Sequence, residues 1–157
     1  MSDTLSAMHP TAERFQARLR ELGLDVEVRE LADSTRTAQE AAAAVGVELG
    51  QIVKSLVFVA ADGPVLCLCA GDRRVDVAKL GEGVRQAKAD EVRSQTGFAI
   101  GGVPPLGHDR PLHTVVDASL RRFQTVWCAG GTANTVFPVD VAALIAALPA
   151  ADVREVS

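Results

Sequence analysis

Few residues in this chain are placed to do chemistry. Gly101-Gly102-Val103-Pro104-Pro105-Leu106-Gly107 is a loop that puts main-chain N–H groups where side chains would otherwise stand. Glycine gives access to the backbone and accepts positive φ, while proline holds the flanks rigid. Far upstream, Lys54 interrupts the apolar run Ile52-Val53-Lys54-Ser55-Leu56-Val57-Phe58-Val59. An ammonium there is costly unless it meets an anion or faces a polar cleft. Together the two features read as a pocket that holds an oxygen-rich ligand by amides and one ammonium. The same residues also fit a tight surface turn and an edge-strand lysine that blocks strand addition.

Other reactive groupings are missing. There is no G-x-x-x-x-G-K-[ST] phosphate loop and no G-x-S-x-G elbow. Ser55 directly follows Lys54, so on a strand the two face opposite sides and form no nucleophile–base pair. The three cysteines, Cys67, Cys69 and Cys128, have no histidine partner in sequence. Cys67 and Cys69 alternate with Leu66 and Leu68, as reduced thiols in a core do. His9, His108 and His113 lack the spacing of a zinc site. His108 and His113 flank the glycine–proline loop and read as loop packing or surface. A hydrolase built from this chain would lean on backbone amides and substrate groups. No metal or organic cofactor is expected.

The elements that must position these residues follow from periodicity and punctuation. Residues before His9 read as a loose tail. Pro10 opens a helix with Ala12, Phe15, Leu19 and Leu22 on one face and Gly23 as its stop. Residues 25–31 alternate like a half-exposed strand. Thr37-Ala38-Gln39-Glu40 is a capping box for a helix ending at Gly46. A short turn at 48–51 leads into a strand over 53–60, and Asp62-Gly63 predicts a hairpin to 65–70. Residues 73–96 read as two helical pieces broken around Gly81 and Gly83, the second capped by Asp90 and ended by Gly97. Three strands follow the loop, at 113–116, 122–128 and 134–137. Asp140 caps a last helix that Pro149 ends. The fold class this predicts is α+β: one domain over 1–157, core about 10–148, with a mixed, barrel-like curved sheet flanked by helices.

Composition bounds the partners. The chain has 157 residues, 48% of them hydrophobic, which is ample for one core. Aromatic content is 4%, so a stacking platform for single strands is not expected. The net charge of −4 argues against tight, sequence-independent binding to duplex DNA. Residues 73–93 still hold six cations against four anions, which reads as a modest basic face or as ordinary solvated helices. No signal-like segment or apolar run of membrane-spanning length is present, which makes the cytoplasm the expected location. A monomer is the default expectation.

Four pieces carry a family resemblance. They are Val53-Lys54-Ser55-Leu56-Val57-Phe58; Thr96-Gly97-Phe98 with the 101–107 loop; Val115-Val116-Asp117-Ala118-Ser119-Leu120; and Trp127-Cys128-Ala129-Gly130-Gly131-Thr132. In this order and spacing the chain resembles the YbaK/prolyl-tRNA-synthetase-associated editing domains, the free-standing aminoacyl-tRNA deacylases, from about Pro10 to Leu148. The resemblance implies hydrolysis of the ester of a mischarged tRNA, often tRNA for proline, with prolyl-tRNA synthetase as a further partner. It implies that the amides of Gly101, Gly102 and Val103 bind the ester carbonyl and its oxyanion. Lys54 would anchor a phosphate or ribose oxygen near the terminal adenosine, or orient the ester. Pro104 would line the substrate pocket, and Gly130, Gly131 and Thr132 would line its opposite wall or simply form a hairpin loop. Asp117 would join them, anchor the loop by hydrogen bonds, or cap 118–121. Thr35 and Thr37 lie where the family's first helices cover the cleft, and Thr37 also reads as the helix cap.

One departure bears on the substrate. Cysteine-specific members carry a tyrosine on the N-terminal strand, whereas this chain has Val26-Glu27-Val28-Arg29-Glu30 there and no tyrosine at all. A pocket of valine, leucine, phenylalanine and glycine suits a small side chain such as alanine, serine or cysteine. Apolar pockets separate such near-isosteres poorly. Two alternatives stay open: a non-catalytic adaptor for charged tRNA or a synthetase, and a hydrolase of small aminoacyl esters.

Overall fold

The computed structural model describes residues 8–157, so the tail expected before His9 lies, Met8 apart, outside the described residues. Helix α1 (Pro10–Glu21) begins at His9, whose Nδ1 accepts from the Thr11 amide at 3.1 Å. It buries Ala12, Phe15 and Leu19, while Leu22 stays 40% exposed beyond its end. The strand expected over 25–31 shrinks to β1 (Arg29–Glu30). A helix side chain explains this. Gln16 donates to the Val26 carbonyl at 2.8 Å and accepts from the Val28 amide at 2.7 Å, taking the place of a strand partner.

Helix α2 (Ala38–Val45) starts as expected. The Thr37 hydroxyl accepts from the Glu40 amide, the Glu40 carboxylate accepts from the Thr37 amide, and left-handed Gly46 closes the helix. Strands β2 (Val53–Ala60) and β3 (Gly63–Ala70) form the expected hairpin in continuous register from Val53↔Ala70 to Ala60↔Gly63. Of the two helical pieces expected over 73–96, the second forms and ends at left-handed Gly97 as expected, while the first does not. The region holds a 3-10 turn at Val77–Leu80, strand β4 (Arg85–Gln86) and helix α3 (Ala89–Thr96). Gly81 and Gly83 have positive φ and turn the chain so that Arg85 and Gln86 pair with Val59 and Phe58. Lys88, not Asp90, precedes α3, and the Glu91 carboxylate accepts from its amide at 2.9 Å.

Strands β5 (His113–Asp117), β6 (Thr125–Ala129) and β7 (Thr135–Asp140) follow, then helix α4 (Val141–Ala147), capped by the Asp140 carboxylate. A further strand, β8 (Ala151–Arg154), comes after Pro149 and pairs parallel with β5. The strands make a mixed five-stranded sheet, β4-β2-β3-β5-β8, and a three-stranded antiparallel sheet, β1-β7-β6. The two meet through a single bridge, Ile52 to Trp127. The α+β expectation holds, but the curved sheet is divided in two and closes no barrel.

The main core lies between the sheets under α1 and α4, around Phe15, Leu66, Leu68, Val126, Phe137 and Leu144. Phe58, Cys67, Val115 and Val156 form a second cluster on the other face of the larger sheet. Helix α2 closes a third, packing Ala41 and Ala42 near Ile52, Trp127 and Val136.

Candidate active site

Strand alternation sends Val53, Ser55 and Val57 to one face of β2. That face, α2, β6, β7 and the start of the glycine–proline loop enclose a cleft of about 280 Å³. Its walls are mostly apolar, including Ala41, Trp127, Ala129 and Val136. Arg29 stacks on Trp127 with its guanidinium 5.0 Å from the ring centre.

The loop enters the cleft through a four-residue turn closed by the Gly102 amide, which donates to the Ala99 carbonyl at 2.9 Å. Gly101 holds φ +88° at the third position, where an L side chain would be strained. Gly101 and Val103 line the cleft, and among the described residues their amides meet no protein acceptor. Gly102 is turned to the wall behind. A Cβ there would lie 2.8 Å from the Thr132 Cα and 2.9 Å from its carbonyl carbon. Pro104 is buried, and its carbonyl faces His108 Nε2 at 2.8 Å. His108 lies 6% exposed, its ring centre 5.9 Å from that of Phe98. Burial lowers its pKa more than the Pro104 bond and Asp109 raise it. His113, by contrast, is on the surface.

Gly130, Gly131 and Thr132 form the hairpin loop behind this turn and do not line the cleft themselves. The Gly130 amide donates to the Thr135 carbonyl at 2.9 Å, and the Thr132 and Thr135 hydroxyls are 2.8 Å apart. Ala129, Ala133 and Thr135, on either side, reach the cleft. Gly131 shares the loop's packing through Phe98 and Thr11.

Lys54 lines the cleft at its edge, half-buried, on the face of β2 opposite Ser55 and paired across the strand with Cys69. Its Nζ donates to the Arg73 carbonyl, and among the described residues it has no carboxylate partner. Asp117 is not brought to the cleft. Its carboxylate accepts from the Val156 amide at 2.8 Å, the Ser157 amide at 3.2 Å, the Ser157 hydroxyl at 2.9 Å and the Ser119 hydroxyl. Thr37 lines the cleft, whereas Thr35 is buried outside it.

Two cleft residues escaped the reading from sequence. Ser55 follows Lys54 in sequence, and its Oγ is buried at the cleft with no hydrogen-bond partner among the described residues. Arg36 also lines the cleft. The signal for both was their place next to residues already singled out, but what they face depends on packing. Cys128 is on the wall too, and burial drives its pKa far up, so at neutral pH it is an un-ionised thiol and a poor nucleophile. Among the described residues no group of three histidines, cysteines or carboxylates gathers to hold a metal.

The cleft thus brings together mostly apolar walls, two loop residues whose amides have no acceptor among the described residues, and the Ser55 hydroxyl. The family model described as an aminoacyl-tRNA editing domain matches residues 32–147. The uncharacterized protein YwhH of Bacillus subtilis (strain 168) is 40% identical over 114 residues, covering 69% of this chain and 73% of that one. The proline–tRNA ligase of Thermosipho africanus (strain TCF52B) is 35% identical over 82 residues, and the match spans 49% of this chain but 15% of the ligase. A crystal structure of a proposed trans-editing enzyme for prolyl tRNA synthetase superposes with a TM-score of 0.91 at 46% identity, covering 96% of this chain and 99% of that one.

Proposed function

Since the chain belongs to the aminoacyl-tRNA editing domain family, we propose that it hydrolyses the ester of mischarged tRNA in trans, with proline tRNA carrying alanine, cysteine or serine as substrate. One observation carries this reading: the amides of Gly101 and Val103, without a protein acceptor among the described residues, at a cleft with mostly apolar walls. In the proposed reaction the ester carbonyl sits against these amides. Water attacks its carbon, and the carbonyl oxygen becomes an anion held by both donors. The C–O bond to the ribose then breaks, and the ribose oxygen takes up the proton that the water releases. One such donor is worth roughly 2.7–4 kcal/mol of barrier. An aminoacyl ester is already activated, so placement of the water by backbone carbonyls or the vicinal ribose hydroxyl suffices. Gly102, whose amide is engaged with Ala99, serves by keeping the turn against Thr132. Pro104, Gly130, Gly131 and Thr132 support that wall. Asp117 acts at a distance from it, through the C-terminal segment. Lys54 has N–H groups to spare beyond the Arg73 carbonyl, and these meet a phosphate or ribose oxygen at the cleft edge. Prolyl-tRNA synthetase is the partner that supplies the charged tRNA.

The test is hydrolysis of alanyl-, cysteinyl- and seryl-tRNA for proline by the wild type and Lys54→Ala. The expected result is release of one or more of these amino acids, reduced at least about tenfold in the variant. No release from any of the three, with the enzyme folded, overturns the substrate assignment. Equal rates in the two proteins overturn the role of Lys54 alone.

A further inference from the structure

The mouth of the cleft carries two side chains that this reaction leaves unused. Ile100 is 55% exposed, sits directly before Gly101 in the Ala99–Gly102 turn, and lines the cleft. Its side chain is thus offered at the cleft mouth and not to the core. Arg36 lines the same cleft, is exposed, and forms no ion pair among the described residues. Its backbone is fixed, because its amide donates to the Glu40 carboxylate at 3.0 Å. That carboxylate also takes the amide and hydroxyl of Thr37, so it is committed to the helix cap. Elsewhere Arg85 is neutralised by Glu91 and Arg122 by Asp72, each through two bonds of 2.7–3.0 Å. Within 73–93 the Arg85–Glu91 pair takes one cation from the expected basic face, whereas Arg36, though near enough to Glu40 for their charges to interact, stands at the cleft without an ion-pair contact among the described residues.

We propose that Arg36 and Ile100 form a lip that receives the single-stranded RNA end leading into the cleft. The guanidinium meets a backbone phosphate, and the isoleucine packs on the base or ribose of the nucleotide before the terminal one. This rests on the editing reading. A single-stranded RNA end offers both features at once, an anionic backbone and an unstacked apolar base face. A net charge of −4 leaves attraction to such local cations.

The experiment titrates a labelled, uncharged RNA hairpin ending in single-stranded CCA across a range of salt, against a blunt hairpin as control. Arg36→Ala is expected to raise Kd about fivefold at low salt and to lower the slope of log Kd on log salt by about 0.7, one single-strand phosphate contact. Arg36→Lys should restore the slope. Ile100→Ser should raise Kd about threefold with the slope unchanged, since it removes only apolar contact. Wild-type Kd and slope in Arg36→Ala, equal binding of the blunt hairpin, or no wild-type binding to the CCA hairpin each overturn the lip. Uncharged RNA has no ester to hydrolyse and the Arg36 variants isolate the lip, so a protein that binds it through Arg36 and deacylates nothing would sink the editing reading and leave the lip standing.

Discussion

Ser55 shows how a side chain can be kept at a cost to stability. Its hydroxyl is buried at the cleft without a partner, while the neighbouring Thr135 hydroxyl is tied to Thr132. A buried hydroxyl left unpaired costs about 1–3 kcal/mol. A bound ligand at the cleft can supply the missing bond, for example through the amino group or ester oxygen of an aminoacyl group. Ser55→Ala should therefore stabilise the free protein by about 1 kcal/mol, a rise in Tm of about 2–4 °C. The same change should lower kcat/KM for the preferred aminoacyl-tRNA about tenfold. Thermal melts and steady-state hydrolysis check the two halves. A variant that is both unstabilised and fully active would mean that water or the backbone already satisfies Ser55. Gly102 makes the opposite case at the same scale. An added methyl would press into the Thr132 backbone, which cannot yield as a flexible side chain does.

The glycine–proline loop works as an element fixed at both ends. Gly102 seats one end against Thr132, and His108 ties the other through the Pro104 carbonyl, its ring resting near Phe98, which packs on Phe15. Val103 lies between these points and Gly101 directly before them, so both residues of the proposed donor pair sit on a braced stretch of backbone. His108→Ala should lower kcat about tenfold with KM little changed, while His108→Gln, whose amide nitrogen can donate to the same carbonyl, should recover most of the rate. Equal loss in both variants would mean that the ring's packing, not its bond, holds the loop. Such devices were only partly legible in the sequence. Cap, hairpin and helix-stop signals are local, and they located α2, the β2–β3 hairpin and both ends of α4. Strands β4 and β8 have two and four residues, too few for alternation to show, and they exist because an edge of β2 or β5 is free to pair. Residues 25–31 do alternate, yet Gln16 reaches across from α1 and takes two of their backbone groups. At the site, Lys54 and the loop were legible from residue type. The orphan hydroxyl of Ser55 and the position of 130–132 behind the loop arise only from packing.

At the scale of the whole molecule, the far face of the larger sheet is closed by the C-terminal segment. Val156 is fully buried there beside Phe58, Cys67 and Val115. Asp117 takes the amides of Val156 and Ser157, and the Val156 carbonyl accepts from Asp76. From there the 73–80 segment runs back to Arg73, whose carbonyl holds Lys54. The latch thus joins the core to the edge of the cleft. Burial raises the pKa of Asp117, but bonds from Ser119, Val156 and Ser157 outweigh it and hold the carboxyl below its ordinary value. A depressed folded value means that the unfolded chain binds the proton first. The stabilisation is complete above the unfolded value of about 3.9 and is lost as pH falls through the folded one. His108 is depressed by burial, so its loss begins earlier, as pH falls through the ordinary imidazole value of about 6.5. Arg85 likewise holds Glu91 down to about 2, but that pair is on the surface, where solvent screening leaves it little weight. Stability measured by denaturant across pH should therefore fall in two stages on the acid side. His108→Gln should remove the upper stage and Asp117→Asn the lower one. Asp117→Ala, which leaves buried amides without an acceptor, should cost about 2–3 kcal/mol at neutral pH. If Asp117→Asn keeps the full lower stage, the acid sensitivity belongs to other carboxylates and the latch does not depend on charge.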